Sequence, residues 1–157
     1  VDINPELYNI KEKVDMQNIP YEESTFDLIY NCHVLEHVPN DIKAMKELYR
    51  VVKPTSVGGM CVIMVPVFEN LSETLEKEEY HTPELRSKYY GQHDHSRKYG
   101  MDFKNRLELV GFDVEVIDPN TLVTDETYDY GRLSDKIYLC TKHIWSIIKF
   151  HKNEHDK

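Results

Sequence analysis

No apolar run in this sequence approaches the ~18 residues a membrane-spanning helix needs, so no membrane span is expected. Cysteine is scarce. Cys32, Cys61 and Cys140 are the only three, and they sit in apolar runs without paired spacing. That pattern excludes a disulfide framework and suits buried thiols in a reducing compartment. The opening residues do not read as a secretory signal, so a cytoplasmic location is expected. Basic charge is in deficit, with 19 Lys+Arg against 28 Asp+Glu and a net charge of −9. A phosphate backbone needs a basic face, so nucleic acid is not expected as the main partner. Repeats and low-complexity tracts are absent as well.

What is present suits one α/β domain, or most of one. The 157 residues are 40% hydrophobic and 30% charged, enough for a core and too apolar for a disordered chain. Strand and helix patterns alternate. Val1 to Ile3 reads as a strand end, Lys13 to Met16 as a short strand, and Phe26 to Tyr30 as a buried strand. Asp41 is placed to cap a helix carrying Ile42, Met45, Leu48, Tyr49 and Val52 on one face, stopped by Pro54. Met60 to Val65 is a second buried strand. Thr82-Pro83-Glu84 has the form of a cap, a first-position proline and an early acid. Asp102 to Val110 reads as a helix closed by Gly111. Phe112 to Ile117 and Lys136 to Thr141 are the last strands. Residues 1–141 are expected to form the domain and 142–157 a tail. The apolar stretch Ile144 to Phe150 within that tail is expected to pack on the domain or form a homodimer contact, with contact to a membrane surface as the alternative.

Asp15-Met16-Gln17-Asn18-Ile19-Pro20, Ser24-Thr25-Phe26-Asp27-Leu28-Ile29, His33-Val34-Leu35-Glu36-His37-Val38, Arg50-Val51-Val52-Lys53-Pro54 and Gly58-Gly59 follow one another in order. In these stretches the chain resembles the class I S-adenosylmethionine (SAM) dependent methyltransferases of the type 11 group, over residues 1 to about 141. The resemblance implies a Rossmann-like, doubly wound, mostly parallel sheet of strand order 3-2-1-4-5-7-6, with strand 7 antiparallel, and SAM as cofactor. Ligands in such sheets sit beyond the carboxyl ends of the strands. Asp2, ending one strand, is implied to bind the ribose hydroxyls. Asp15 and Met16 are implied to hold adenine, and Asn31 and His33 to line the cofactor pocket beyond the next strand. The family's glycine-rich loop is missing: none of the six glycines lies in a G-x-G pattern after a strand. The chain is therefore expected to be truncated at its N-terminal side, with an incomplete sheet and weak SAM binding or activity alone. Lys53 to Gly59 is also a longer turn than the family's.

Tyr90-Gly91-Gln92-His93-Asp94-His95-Ser96-Arg97-Lys98-Tyr99-Gly100 resembles a segment that a bacterial subgroup carries on the acceptor side. His95 and His93 are candidate general bases, since imidazole titrates near neutral pH. Arg97 is a candidate anchor for an acceptor anion, and Tyr90 and Tyr99 for stacking on a ring or sugar. The implied acceptor is a small molecule or glycan-like compound. His33-x-x-Glu36-His37 also fits an inverted zinc-protease pattern, but that motif needs a helix, and Pro39 breaks one. No metal is expected there, although the resemblance leaves a weak ion site open. None is expected from His93, Asp94 and His95, because neighbouring residues rarely converge on one ion. The reading from a different class is a degenerate, non-catalytic methyltransferase-like binding module.

Overall fold

A computed structural model of the chain describes residues 12–121 and 135–143. The strand end expected at Val1 to Ile3, with Asp2, and the apolar stretch from Ile144 lie outside the described residues. The elements run β1 (Leu28–Cys32), α1 (Asp41–Val51), β2 (Met60–Met64), α2 (Pro83–Tyr90), α3 (Phe103–Leu109), β3 (Asp113–Ile117) and β4 (Ile137–Thr141).

The four strands form one sheet in the order β1-β2-β4-β3. β1 and β2 are parallel, and β4 is antiparallel to both β2 and β3. This is the 4-5-7-6 half of the order given above, with β4, the last of the described strands, inserted antiparallel between its neighbours. Lys13 makes only a single bridge rather than a strand, and the buried strand expected at Phe26 to Tyr30 is instead Leu28–Cys32, with Leu28 and Tyr30 exposed among the described residues.

Local chemistry accounts for the elements. The N-cap of α1 is Asn40, whose side chain accepts from the Lys43 amide at 2.9 Å. This corrects the sequence reading: Asp41 is the first helical residue and a buried acid, not the cap. Ala44, Met45, Leu48 and Val51 lie at helical spacing and are all buried, giving α1 the apolar stripe that docks it on the sheet. Pro54 precedes a tight turn. There Gly58 is left-handed at φ +86°, and a Cβ on Gly59 would meet the Lys53 carbonyl oxygen at 1.9 Å. Thr82 caps α2 by accepting from the Leu85 amide, with Pro83 at the first position. Val52, Cys61, Ile63, Val65, Phe103, Leu107 and Cys140 are fully enclosed in the core.

The domain runs past residue 141. Lys142 is 0% exposed, and its Nζ donates to Glu23 Oε1 at 3.0 Å and Ser24 Oγ at 3.2 Å. A buried ammonium survives only where such acceptors surround it, so Lys142 belongs to the domain and not to a tail.

Candidate functional site

Among the described residues β1 is the outermost strand on one side of the sheet, the side where strand 1 of the order given above would pair, and a cavity of about 670 Å³ wraps around it. Leu28, Ile29, Tyr30 and Asn31 all line it. Consecutive strand residues point to opposite faces, so the cavity reaches round both sides of the strand. Its other walls are the 14–21 segment, α1 through Leu48 and Val51, and the loop Val34 to Pro39 that follows β1. Its size falls in the range of about 300–1,000 Å³ usual for small-molecule sites.

The polar groups gather where β1 runs out. Asp15 Oδ1 accepts from the backbone amide of Gln17 at 2.8 Å and from its side chain at 3.2 Å. Asn31 Nδ2 meets the Met16 sulfur at 3.4 Å. Asn31 is 6% exposed, and its Oδ1 is buried without a hydrogen-bond partner. An unfilled buried acceptor is costly, and a ligand donor entering the cavity would relieve it. Asp15, Met16 and Asn31 are thus brought together on one cavity wall. His33, expected beside them, is not in the lining. Its backbone is left-handed at φ +53°, which is strained for a residue other than glycine. Its ring instead lies 3.3 Å from both Glu36 Oε1 and Asp135 Oδ2.

The acceptor-side cluster is placed differently from the expectation. Arg97 is 0% exposed. Its guanidinium donates to the carbonyls of Leu35 at 2.8 Å, Val38 at 2.6 Å and Pro39 at 2.9 Å, and to Glu76 at 2.8 Å. Burial works against its charge, but the Glu76 hydrogen bond and nearby Asp41 outweigh that and raise its pKa. Both Nη atoms are thus engaged, and the buried Nε, which has no hydrogen-bond partner, faces Asp41 Oδ2 at 3.7 Å, so Arg97 clamps the 35–39 loop in place of an acceptor. Tyr99 is buried too, its hydroxyl 2.9 Å from Asp41 Oδ2, and burial pushes its pKa well above the usual phenol value. Tyr90 is 1% exposed, and its hydroxyl meets both backbone polar groups of Lys77. Neither tyrosine presents a face to the cavity. His93 is exposed.

His95 is 5% exposed and packs edge-on against His37, with ring centroids 4.7 Å apart. Burial, followed by the neighbouring His37, lowers the pKa of His95, so its imidazole is neutral at pH 7. His37 itself lines the cavity, and its Nδ1 lies 3.3 Å from Asp94 Oδ2. His37 stood out in the sequence as part of a resemblance stretch and of the zinc-protease pattern, with no site role assigned to it. The signal that could have found it is its place just beyond β1, in the loop where ligands of such sheets sit.

Residues 2–63 match the family model described as a methyltransferase domain. A SAM-dependent methyltransferase from Mesorhizobium loti is similar with a TM-score of 0.53 at 15% identity, over 85% of this chain and 69% of that one. The chain carries the class I methyltransferase fold. The methyltransferase match takes in Asp15, Met16, Asn31 and the loop bearing His37, while His95 and Arg97 fall beyond it. Among curated methyltransferases, sterol 4-C-methyltransferase strm-1 of Caenorhabditis elegans is 40% identical over 68 residues, covering 43% of this chain and 20% of that protein. Norajmaline N-methyltransferase of Rauvolfia serpentina is 36% identical over 72 residues, covering 43% of this chain and 24% of that protein. The chain therefore spans about a fifth to a quarter of the length of these two relatives.

Proposed function

We propose that this chain provides the nucleoside-facing wall and part of the acceptor side of a SAM-dependent methyltransferase acting on a small molecule. The observation that carries the reading is the convergence of Asp15, Met16 and the unfilled Asn31 Oδ1 on one cavity at the end of β1. The donor set fits the cofactor. The Asp15 carboxylate can accept from a nucleobase amine, the Met16 side chain offers a soft apolar contact for a ring, and Asn31 Oδ1 can accept from a further N–H or O–H. When bound, SAM supplies an electrophilic methyl group on a sulfonium.

The work of the chain's own residues is alignment and the exclusion of water. Val34, Val38 and Pro39 supply apolar wall beside the polar groups, and the Arg97 clamp fixes the loop that bears them. The acceptor would approach from the side of His37, where that wall ends. A small-molecule acceptor suits the sterol and norajmaline named for the two relatives. A reducing cytoplasm suits the three free thiols.

Calorimetric titration of the chain with S-adenosylhomocysteine tests the reading. Saturable binding between micromolar and millimolar Kd is expected (about −8 to −4 kcal/mol). Asn31→Leu and Asp15→Ala should each weaken it. Affinity unchanged in both variants would remove the assignment.

A further inference from the structure

Two stretches that are distant in sequence, and that separately do not promise an ion site, meet in the fold. Ser96 donates its backbone N–H to the Glu36 carbonyl at 2.7 Å and its hydroxyl to the His37 carbonyl at 3.1 Å. This stitching, with Arg97 fixed on the carbonyls of Leu35, Val38 and Pro39, brings His95 onto Glu36 and His37. One potential ligand atom from each of the three residues lies within 4.8 Å of the other two. We propose that Glu36, His37 and His95 form a binding site for a divalent transition-metal ion of the zinc type.

Four features favour an ion over a plain polar cluster. Glu36 is 1% exposed, yet its Oε2 has no hydrogen-bond partner. A carboxylate oxygen enclosed without a donor is unfavourable by the full desolvation of that atom, and a cation removes the deficit. His95 is 5% exposed and packs edge-on against His37, with ring centroids 4.7 Å apart, so its ring is held beside the other two side chains. The Nδ1 of His37 is engaged by Asp94 at 3.3 Å, which leaves Nε2 as its ligating atom. Such an outer acceptor is the usual support of a histidine ligand: it fixes the tautomer and raises basicity. Finally, the anchoring of both loops supplies the preorganisation a metal site needs.

The donor set selects the ion. Two imidazoles and one carboxylate suit Zn²⁺, Co²⁺ or Fe²⁺, whereas Mg²⁺ and Ca²⁺ call for oxygen ligands. Ligands about 2.0–2.2 Å from a shared ion lie closer together than these atoms do. The ring of His37, with its side chain 34% exposed, has room to close the set. The inference departs from the sequence reading for a physical reason. His93, Asp94 and His95 cannot converge on one ion because they are adjacent, but only His95 of the three is needed once the loop after β1 supplies the other two ligands. It rests on these side chains alone and stands whether or not the cavity takes SAM.

The test uses the full chain, stripped with chelator and titrated with ZnCl₂ by calorimetry and with CoCl₂ by visible absorption. Far-UV circular dichroism checks the fold of every variant. One strong equivalent of Zn²⁺ is expected, with a Co²⁺ spectrum of low-symmetry nitrogen and oxygen coordination. Glu36→Gln, which keeps the side-chain shape, and His37→Ala, at a partly exposed position, should each lose at least about tenfold in affinity. His93→Ala should lose none. Absence of a strong equivalent, or affinity retained within about twofold in folded Glu36→Gln and His37→Ala, would overturn the proposal.

Discussion

Arg97 shows how a residue's environment reverses the reading its type invites. An arginine in a polar, tyrosine-rich segment suggests an anion anchor, but in the fold it is enclosed and bonded to three carbonyls and Glu76. Removing one member of a buried charged network leaves its partners unsatisfied, at a cost of about 3–5 kcal/mol. Arg97→Leu is therefore expected to lower the stability of the chain to urea by that order, with Arg97→Lys recovering only part because an ammonium cannot span the fork. The sequence could not show this, since three carbonyls of a loop some sixty positions away carry no residue-type signature. The grouping of Asp15, Met16 and Asn31 on one cavity wall was more accessible, because the resemblance implies all three at one pocket beyond the strands.

His95 gives a pH dependence. Its pKa in the folded chain lies below the ordinary value of 6.5, through burial first and His37 second, with Glu36 and Asp94 pulling the other way. The unfolded chain therefore takes up the proton more readily. The stability associated with neutral His95 is complete above pH ~6.5 and is lost as pH falls through the folded pKa. In metal-free protein, the urea midpoint should drop between pH 7 and 5.5, and His95→Gln should flatten part of that drop. A midpoint equally steep in the variant would contradict the assignment.

At the level of elements, the helices and most strands followed from periodicity and capping, with β1 displaced by two residues and Lys13 to Met16 reduced to a bridge, and the misread cap of α1 is instructive. Asn40 and Asp41 are both good cap residues. The asparagine takes the cap because Asp41 is drawn into the interior by Arg106, with Oδ1 2.7 Å from Arg106 Nη2. Asn40→Ala should cost about 1 kcal/mol, seen as a lower denaturation midpoint with the helical signal retained. Gly59 lies in the turn between α1 and β2, where backbone and not side chain blocks a Cβ. Gly59→Ala should therefore cost about 1–3 kcal/mol or more, a loss that no repacking of side chains can recover. Where periodicity was weak, between β2 and α3, the sequence revealed little. That stretch is ordered by long-range contacts such as Thr74 Oγ1 to Asp102 at 2.7 Å, which have no local pattern.

For the whole molecule, the order β1-β2-β4-β3 with β4 antiparallel places the loop after β1 beside the 14–17 turn and against the 94–97 segment. The resemblance implied that the 14–17 turn and the end of β1 share a pocket, but the contact with the 94–97 segment was not legible, because sequence separation hides it. It puts the cavity and a pair of histidines side by side, joined at His37. The most direct test of the central claim is nuclear magnetic resonance of the chain during titration with S-adenosylhomocysteine, following the Met16 methyl group and the amides of Asp15, Asn31 and Val34. The account predicts that these signals shift together along one saturable curve, ahead of any on β3 or α3. Shifts confined to other regions, with Met16 and Asn31 unmoved at saturation, would contradict it.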